Sequence, residues 1–484
     1  MTDESLLKLA DSVLIPPFPG STAPRWILDA LGRGLGGVTL FGNNVLGDTA
    51  QLTASLRSAS ETEPVIAIDE EGGDVTRIAY EHGSPYPGNA ALGAVDDVAL
   101  TRQVHWAIGA DLAALGINLD MAPCADVLGT KDSPAIGTRS FGSDTDLVAR
   151  HTAAAVTGLQ AAGVAACAKH FPGHGRTSTD SHHALATIEG TLEDLRQRDL
   201  PPFSAAIKAG TAAVMPSHLR LPELTGELAS SVSAAAITGL LRGELDFEGV
   251  VISDALEMKA LRDAYGIPGA AVRAVAAGTD LLCFGRDTDE EIYLAVRTAL
   301  VDAARSGELP ASRLEESAER LAVLRARLAA SRQGPPPAHP DGIGLTAARR
   351  AIRMSGPRPV LDRPLIIEVE PRENMAAGDF GWGLGPWAPP ASVRRVSTSA
   401  GQLDVAAILA AADGRSLAVA VRDAHVDGGI RALITELLAA RPDTVLVEMG
   451  LPQWSPPEGT SYLATFGASR ASAQAAAELL GLAR

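Results

Sequence analysis

Short apolar runs bounded by glycine or proline recur along the first 285 residues, at 13–15, 38–41, 65–68, 117–119, 164–168, 212–215, 250–252 and 281–284. Longer Ala/Leu-rich stretches with helical spacing lie between them. A run of four to eight apolar residues without alternation reads as a strand covered on both faces. Eight such strands, each followed by a helix, predict an α/β fold closed into a (β/α)8 TIM-type barrel. A charged amphipathic helix over 309–331 ends this pattern, and a Pro-rich linker over 333–344 follows it. We therefore assign 1–332 to the barrel and 345–484 to a smaller open α/β (αβα) domain. There, runs at 365–367, 417–421 and 444–447 alternate with helical patterns at 403–412, 428–440 and 469–482. Trp382, Trp387 and Trp454 in this half read as packing residues or as a sugar platform.

Charge narrows the possible partners. A net charge of −17 over 484 residues argues against a phosphate backbone or an anionic membrane surface as partner. Three cysteines make no disulfide framework in a chain this long, and each lies in or beside an apolar run. The first residues are acidic and carry no basic segment leading into an apolar one. No run of about 18 apolar residues suggests a membrane span. The expected setting is cytoplasmic.

The residues that follow the strands carry the chemistry. Asp69, Asp120, Lys169-His170, Ser217-His218 and Ser253-Asp254 each follow an apolar run, and a barrel gathers its site at such ends. The densest stretch is Lys169-His170-Phe171-Pro172-Gly173-His174-Gly175, followed after four residues by Asp180-Ser181-His182. Asp254 at a strand end suits attack on an electrophilic carbon or stabilisation of a cation, and it also suits a helix N-cap. Asp180 beside His182 makes an acid/base pair in which the carboxylate fixes the imidazole, or an Asx-turn with a satisfied histidine. Asp69-Glu70-Glu71-Gly72-Gly73 with Arg77, and Arg139 among glycines, suit polyol recognition or surface ion pairs. His170, His174, Asp180 and His182 are also candidate metal ligands. Their spacing fits neither a helix nor a hairpin site, so no metal and no cofactor is expected.

These motifs together resemble family 3 glycoside hydrolases of the bacterial β-N-acetylglucosaminidase branch. The resemblance rests on Asp69-x-Glu71-Gly72-Gly73, Arg139-Ser140-Phe141, the Lys169 to His182 stretch, Arg198-Asp199-Leu200-x-Pro202-Phe203, the Asp254 strand and Ala277-Gly278-Thr279-Asp280. It implies a retaining mechanism with Asp254 as nucleophile and His182 as general acid/base, partnered by Asp180. It also implies that Asp69, Arg77, Arg139, Lys169 and His170 hold the sugar hydroxyls and the N-acetyl group, with His218 lining the site. Gly173 and Gly175 would be hinges for the loop that carries the acid. The implied substrate is a small carbohydrate, the terminal β-linked GlcNAc of cell-wall muropeptide or chito-oligosaccharide fragments. Two rivals remain: a phosphorylase that uses inorganic phosphate as acceptor, and an inactive sensor of wall fragments. Glu70, where many relatives have Gln, and the missing proline in His183-Ala184-Leu185-Ala186 depart from the pattern.

Overall fold

The structure, a computed structural model, describes residues 2–129, 133, 135–177, 185–188, 190–332, 340–370, 378, 380–397 and 404–482. The chain divides into two compact units. The first comprises Met1–Glu70, Thr101–Ala135 and Ser143–Pro340; the second comprises Glu71–Leu100, Ile136–Gly142 and Asp341–Arg484. The second unit thus takes in two early segments as well as the chain beyond the barrel.

In the first unit all eight expected runs are strands: β1 (Leu14–Ile15), β2 (Gly37–Leu40), β3 (Val65–Ile68), β4 (Leu119–Asp120), β5 (Ala165–Phe171), β6 (Ala213–Pro216), β7 (Val250–Val251) and β8 (Leu282–Cys283). Strands β2 to β7 form one parallel sheet in chain order, and β1 pairs in parallel with β8. A bridge between Ile252 and Leu281 joins β7 to β8. The Thr39 amide donates to the Pro16 carbonyl at 3.3 Å, which joins β2 to β1 and closes the ring. Every residue of β3 and β5 is buried, as barrel strands covered on both sides require.

Asp280, in the Ala277-Gly278-Thr279-Asp280 motif, is fully buried just before β8. It accepts hydrogen bonds from Arg242 and Arg313 at 2.5 Å and from the Val251 amide at 2.9 Å. A residue at the N-terminal ends of the strands, opposite the chemistry, clamps helices to the barrel floor. That motif is structural.

The sheet of the second unit has six strands: β9 (Arg353–Ser355), β10 (Leu365–Glu370), β11 (Val393–Ser397), β12 (Leu417–Val421), β13 (Val445–Glu448) and β14 (Tyr462–Ala464). Their order is β9-β14-β13-β12-β10-β11, with only the β9 pairing antiparallel. Alternate residues feed two cores. Ile366, Ala418, Ala420, Val445 and Val447 meet Ala473, Ala476 and Leu480 around the last helix (Arg470–Leu479). Leu365, Ile367, Leu417, Val419 and Leu446 meet the helices Val405–Ala411 and Gly428–Ala440 on the other face. This is the expected three-layer αβα arrangement, with β9, β11 and β14 added to the three strands expected from the sequence. Trp382, Trp387 and Trp454 pack against these cores. No single helix among the described residues is long and apolar enough to cross a membrane.

Candidate active site

β5 runs three residues beyond its apolar stretch, to Phe171, so Lys169 and His170 stand within the strand rather than after it. The Lys169 side chain is 3% exposed, and a buried ammonium is tolerable only with a counter-charge. Its Nζ donates to Asp69 Oδ1 at the end of β3. Between β3 and β5, at the end of β4, Asp120 is fully buried, and its Oδ1 accepts the Glu70 amide at 2.9 Å. Its Oδ2 has no hydrogen-bond partner among the described residues. Burial, reinforced by the charge of Glu70, pushes the Asp120 carboxyl well above the usual carboxylate range.

His170 is held from the segment after β4. Its Nδ1 lies 2.7 Å from Asp126 Oδ2, while Asp126 Oδ1 accepts the backbone amide of His174 at 2.6 Å. Asp126 is wholly buried. Burial alone would raise its pKa, but His170 and then His174 outweigh that and hold the carboxyl below its ordinary value. A carboxylate on Nδ1 fixes the plane and tautomer of the imidazole. Asp126 was missed from sequence because it lies six residues beyond β4, outside any strand end. The Cys124 thiol also donates to Asp126 Oδ2 at 3.1 Å. Cys124, Asp126 and His170 each offer a ligand atom within 4.8 Å of the others, the one grouping among the described residues able to hold a metal. It shares no residue except His170 with the metal set weighed from sequence.

The turn after β5 is packed tightly. A side chain on Gly175 would meet the Val127 carbonyl oxygen at 2.0 Å, and one on Gly173 (φ +134°) would meet the Asp199 side chain at 2.7 Å. Asp199 pairs with Arg176 at 2.7 Å, and burial pushes its carboxyl up to about 6 against the pull of that guanidinium. Close backbone approach therefore accounts for both glycines. Asp180 and His182, which carry the expected acid/base pair, lie outside the described residues.

Asp254 follows β7 and is half-buried, with Oδ1 accepting the Ala255 amide at 2.8 Å. His218, after β6, is fully buried. Its Nδ1 lies 2.7 Å from Ser231 Oγ, and its Nε2 lies 2.9 Å from the Ala255 carbonyl, to which it donates. That geometry braces the backbone beside Asp254. The charged groups gather at one end of the barrel. Burial raises the pKa of the Cys167 thiol, Lys169 opposes the shift, and Asp69, Asp120 and Asp254 add to it. All three cysteines are buried thiols outside any disulfide.

Arg77 and Arg139 belong to the second unit. Arg139, 8% exposed, makes a two-pronged bond to Glu71, Nε to Oε2 at 2.9 Å and a terminal nitrogen to Oε1 at 2.7 Å. Arg77 is half-buried in the turn that follows Gly72-Gly73. The strand ends of the first unit therefore bring together Asp69, Lys169, His170 and Asp254. They present a half-buried carboxylate and a set of fixed hydrogen-bonding groups.

Comparison with known proteins places this geometry in a family. The profile of the glycosyl hydrolase family 3 N terminal domain matches residues 21–324. Beta-hexosaminidase of Stenotrophomonas maltophilia is 38% identical over 282 residues, 56% of this chain and 83% of that protein. Beta-hexosaminidase A of Pseudoalteromonas piscicida is 33% identical over 337 residues, 64% of this chain and 56% of that longer protein. The solved family 3 β-N-acetylglucosaminidase of Paenibacillus sp. FPU-7 is similar along almost the whole chain. It has a TM-score of 0.87 and 32% identity, and the match covers 99% of this chain and 97% of that one. With the profile spanning β2 to β8 and the residues at their ends, the chain belongs to glycosyl hydrolase family 3.

Proposed function

We propose that the chain is a retaining exo-β-N-acetylglucosaminidase, acting on terminal β-linked GlcNAc of cell-wall or chito-oligosaccharide fragments. The observation that carries this reading is the set Asp254, Lys169, Asp69 and His170 at barrel strand ends in a family 3 chain. The names of the similar hexosaminidases and of the Paenibacillus enzyme support the sugar. In the first step an Asp254 oxygen bonds to the anomeric carbon as the bond to the aglycone oxygen breaks, and that oxygen takes a proton from His182. In the second step water attacks the same carbon, yields its proton to His182 and frees Asp254. Asp180 orients His182. Asp69, Lys169 and His170 hold the hydroxyls and the N-acetyl group, while Asp126 and His218 act as braces.

The test is to trap the intermediate. A fluorinated GlcNAc donor that slows the second step should leave a glycosyl mass on the peptide containing Asp254. Asp254→Asn should fold normally, form no adduct and lose about a thousandfold or more in turnover. An adduct on another residue, or near-normal activity of the Asn variant, would sink the assignment.

A further inference from the structure

Asp254 is one residue of a turn that the barrel fixes at several points. The Ser253 amide donates to the Leu281 carbonyl at 2.9 Å, and Ser253 Oγ accepts the Cys283 amide at 2.9 Å. Further along, the Leu256 amide donates to the Cys283 carbonyl at 3.3 Å. The turn after β7 is thus laid against the segment that runs through β8. A side chain makes the next tie. Glu257 Oε2 accepts the amide of Gly285 at 2.7 Å, and a methyl group on Gly285 would stand 1.4 Å from Glu257 Oε1. The carboxylate therefore lies directly on the backbone of Gly285, in space that only a glycine leaves open. Glu257 is half-buried and stands two residues before the helix Lys259–Ala277, so the tie also fixes where the turn ends. The carboxylate of Asp254 follows the same turn, because its Oδ1 accepts the Ala255 amide at 2.8 Å.

We infer that Glu257 is a positioning residue for the nucleophile, acting through the Gly285 amide on the turn that aims Asp254. The inference rests on the assignment of Asp254 as nucleophile. Every residue in it lies in the first unit. Without the Glu257 carboxylate the Gly285 amide loses its acceptor, and the far end of the turn is left with the longer Leu256 bond and the His218 contact at Ala255. A displacement of about an ångström in the attacking oxygen is enough to slow bond formation by about a hundredfold. The groups assigned to the sugar, Asp69, Lys169 and His170, stand on β5 and after β3, away from this turn. The loss therefore falls on the chemical step and spares the binding of the sugar.

The experiment measures two quantities on the full chain: the rate at which a saturating fluorinated GlcNAc donor labels Asp254, and the inhibition constant of GlcNAc. Glu257→Ala, Glu257→Gln, Gly285→Ala and the Glu257→Ala/Gly285→Ala pair are compared after circular dichroism has shown each to be folded. Glu257→Ala should slow labelling by about a hundredfold and change the inhibition constant less than about threefold. Glu257→Gln, which keeps an oxygen able to accept the Gly285 amide, should recover about tenfold of that loss. Gly285→Ala should also slow labelling, because its methyl displaces the carboxylate. In the Glu257→Ala background it should change the rate less than about twofold, since the carboxylate it would strike is gone. If Glu257→Ala does not fold, Glu257→Asp, which withdraws the carboxylate by one methylene, goes through the same measurements. Labelling at the wild-type rate in a folded Glu257 variant, or equal losses in labelling and in GlcNAc binding, would overturn the inference and leave Asp254 as nucleophile. A wild-type adduct on another residue would overturn both.

Discussion

A lysine at 3% exposure, paired with Asp69, and a histidine whose Nδ1 is taken by a buried carboxylate are arranged before any substrate arrives. Such pre-set donors need little reorganisation when a sugar binds. The residue types were legible in the sequence because a cation and an imidazole ending an apolar run have few structural explanations. Their supports were not. Asp126 follows no strand, and the pairing of Arg139 with Glu71 spans 68 residues. His218 was read as lining the site, and only the structure shows both its nitrogens engaged beside Ala255. At this scale the acid/base role proposed for His182 makes a sharp prediction. His182→Ala should slow substrates with poor leaving groups by about a hundredfold or more, and activated aryl glycosides far less, since only the former need a proton donor. Equal losses on both, measured as kcat/KM across a leaving-group series, would argue that His182 does not donate the proton.

Strands buried on both faces announce themselves as apolar runs, and all eight barrel strands were found that way. Two of the three strands missed in the second unit are of another kind. β9 is exposed throughout, and β11 (Val-Arg-Arg-Val-Ser) carries the charges that protect a sheet edge. The turn after β5 offers two tests. Gly175→Ala must move either the new methyl or the Val127 carbonyl, at a cost of about 1–3 kcal/mol seen as a lower urea midpoint; an unchanged midpoint would contradict the close approach. Asp126 offers a pH test. Its folded pKa lies below its unfolded value, so its contribution is present above about pH 4 and lost as pH falls through the folded value. The urea midpoint of Asp126→Asn should therefore be lower than wild type at pH 7, with the gap narrowing toward pH 3. A gap that stays constant with pH would show that the carboxylate is not held ionised by His170 and His174.

At the scale of the whole molecule, two α/β units divide the chain, and the division does not follow chain order. The segments Glu71–Leu100 and Ile136–Gly142, read from sequence as parts of the barrel, fall in the second unit. Hydrophobic patterning reveals where strands and helices lie, but not which unit a connecting segment packs with, since that depends on contacts such as Asp74 with Arg422 that link distant parts of the chain. The chemistry is expressed at this scale too, because an imidazole that has given up its proton is neutral and repels an incoming phosphate less than a carboxylate would. Product identity from an aryl β-GlcNAc substrate, with and without inorganic phosphate, therefore tests the account most directly. A retaining hydrolase releases free GlcNAc at the same rate in both. GlcNAc-1-phosphate, formed with turnover that rises as phosphate is added, would contradict hydrolysis, and no product under either condition would contradict catalysis itself.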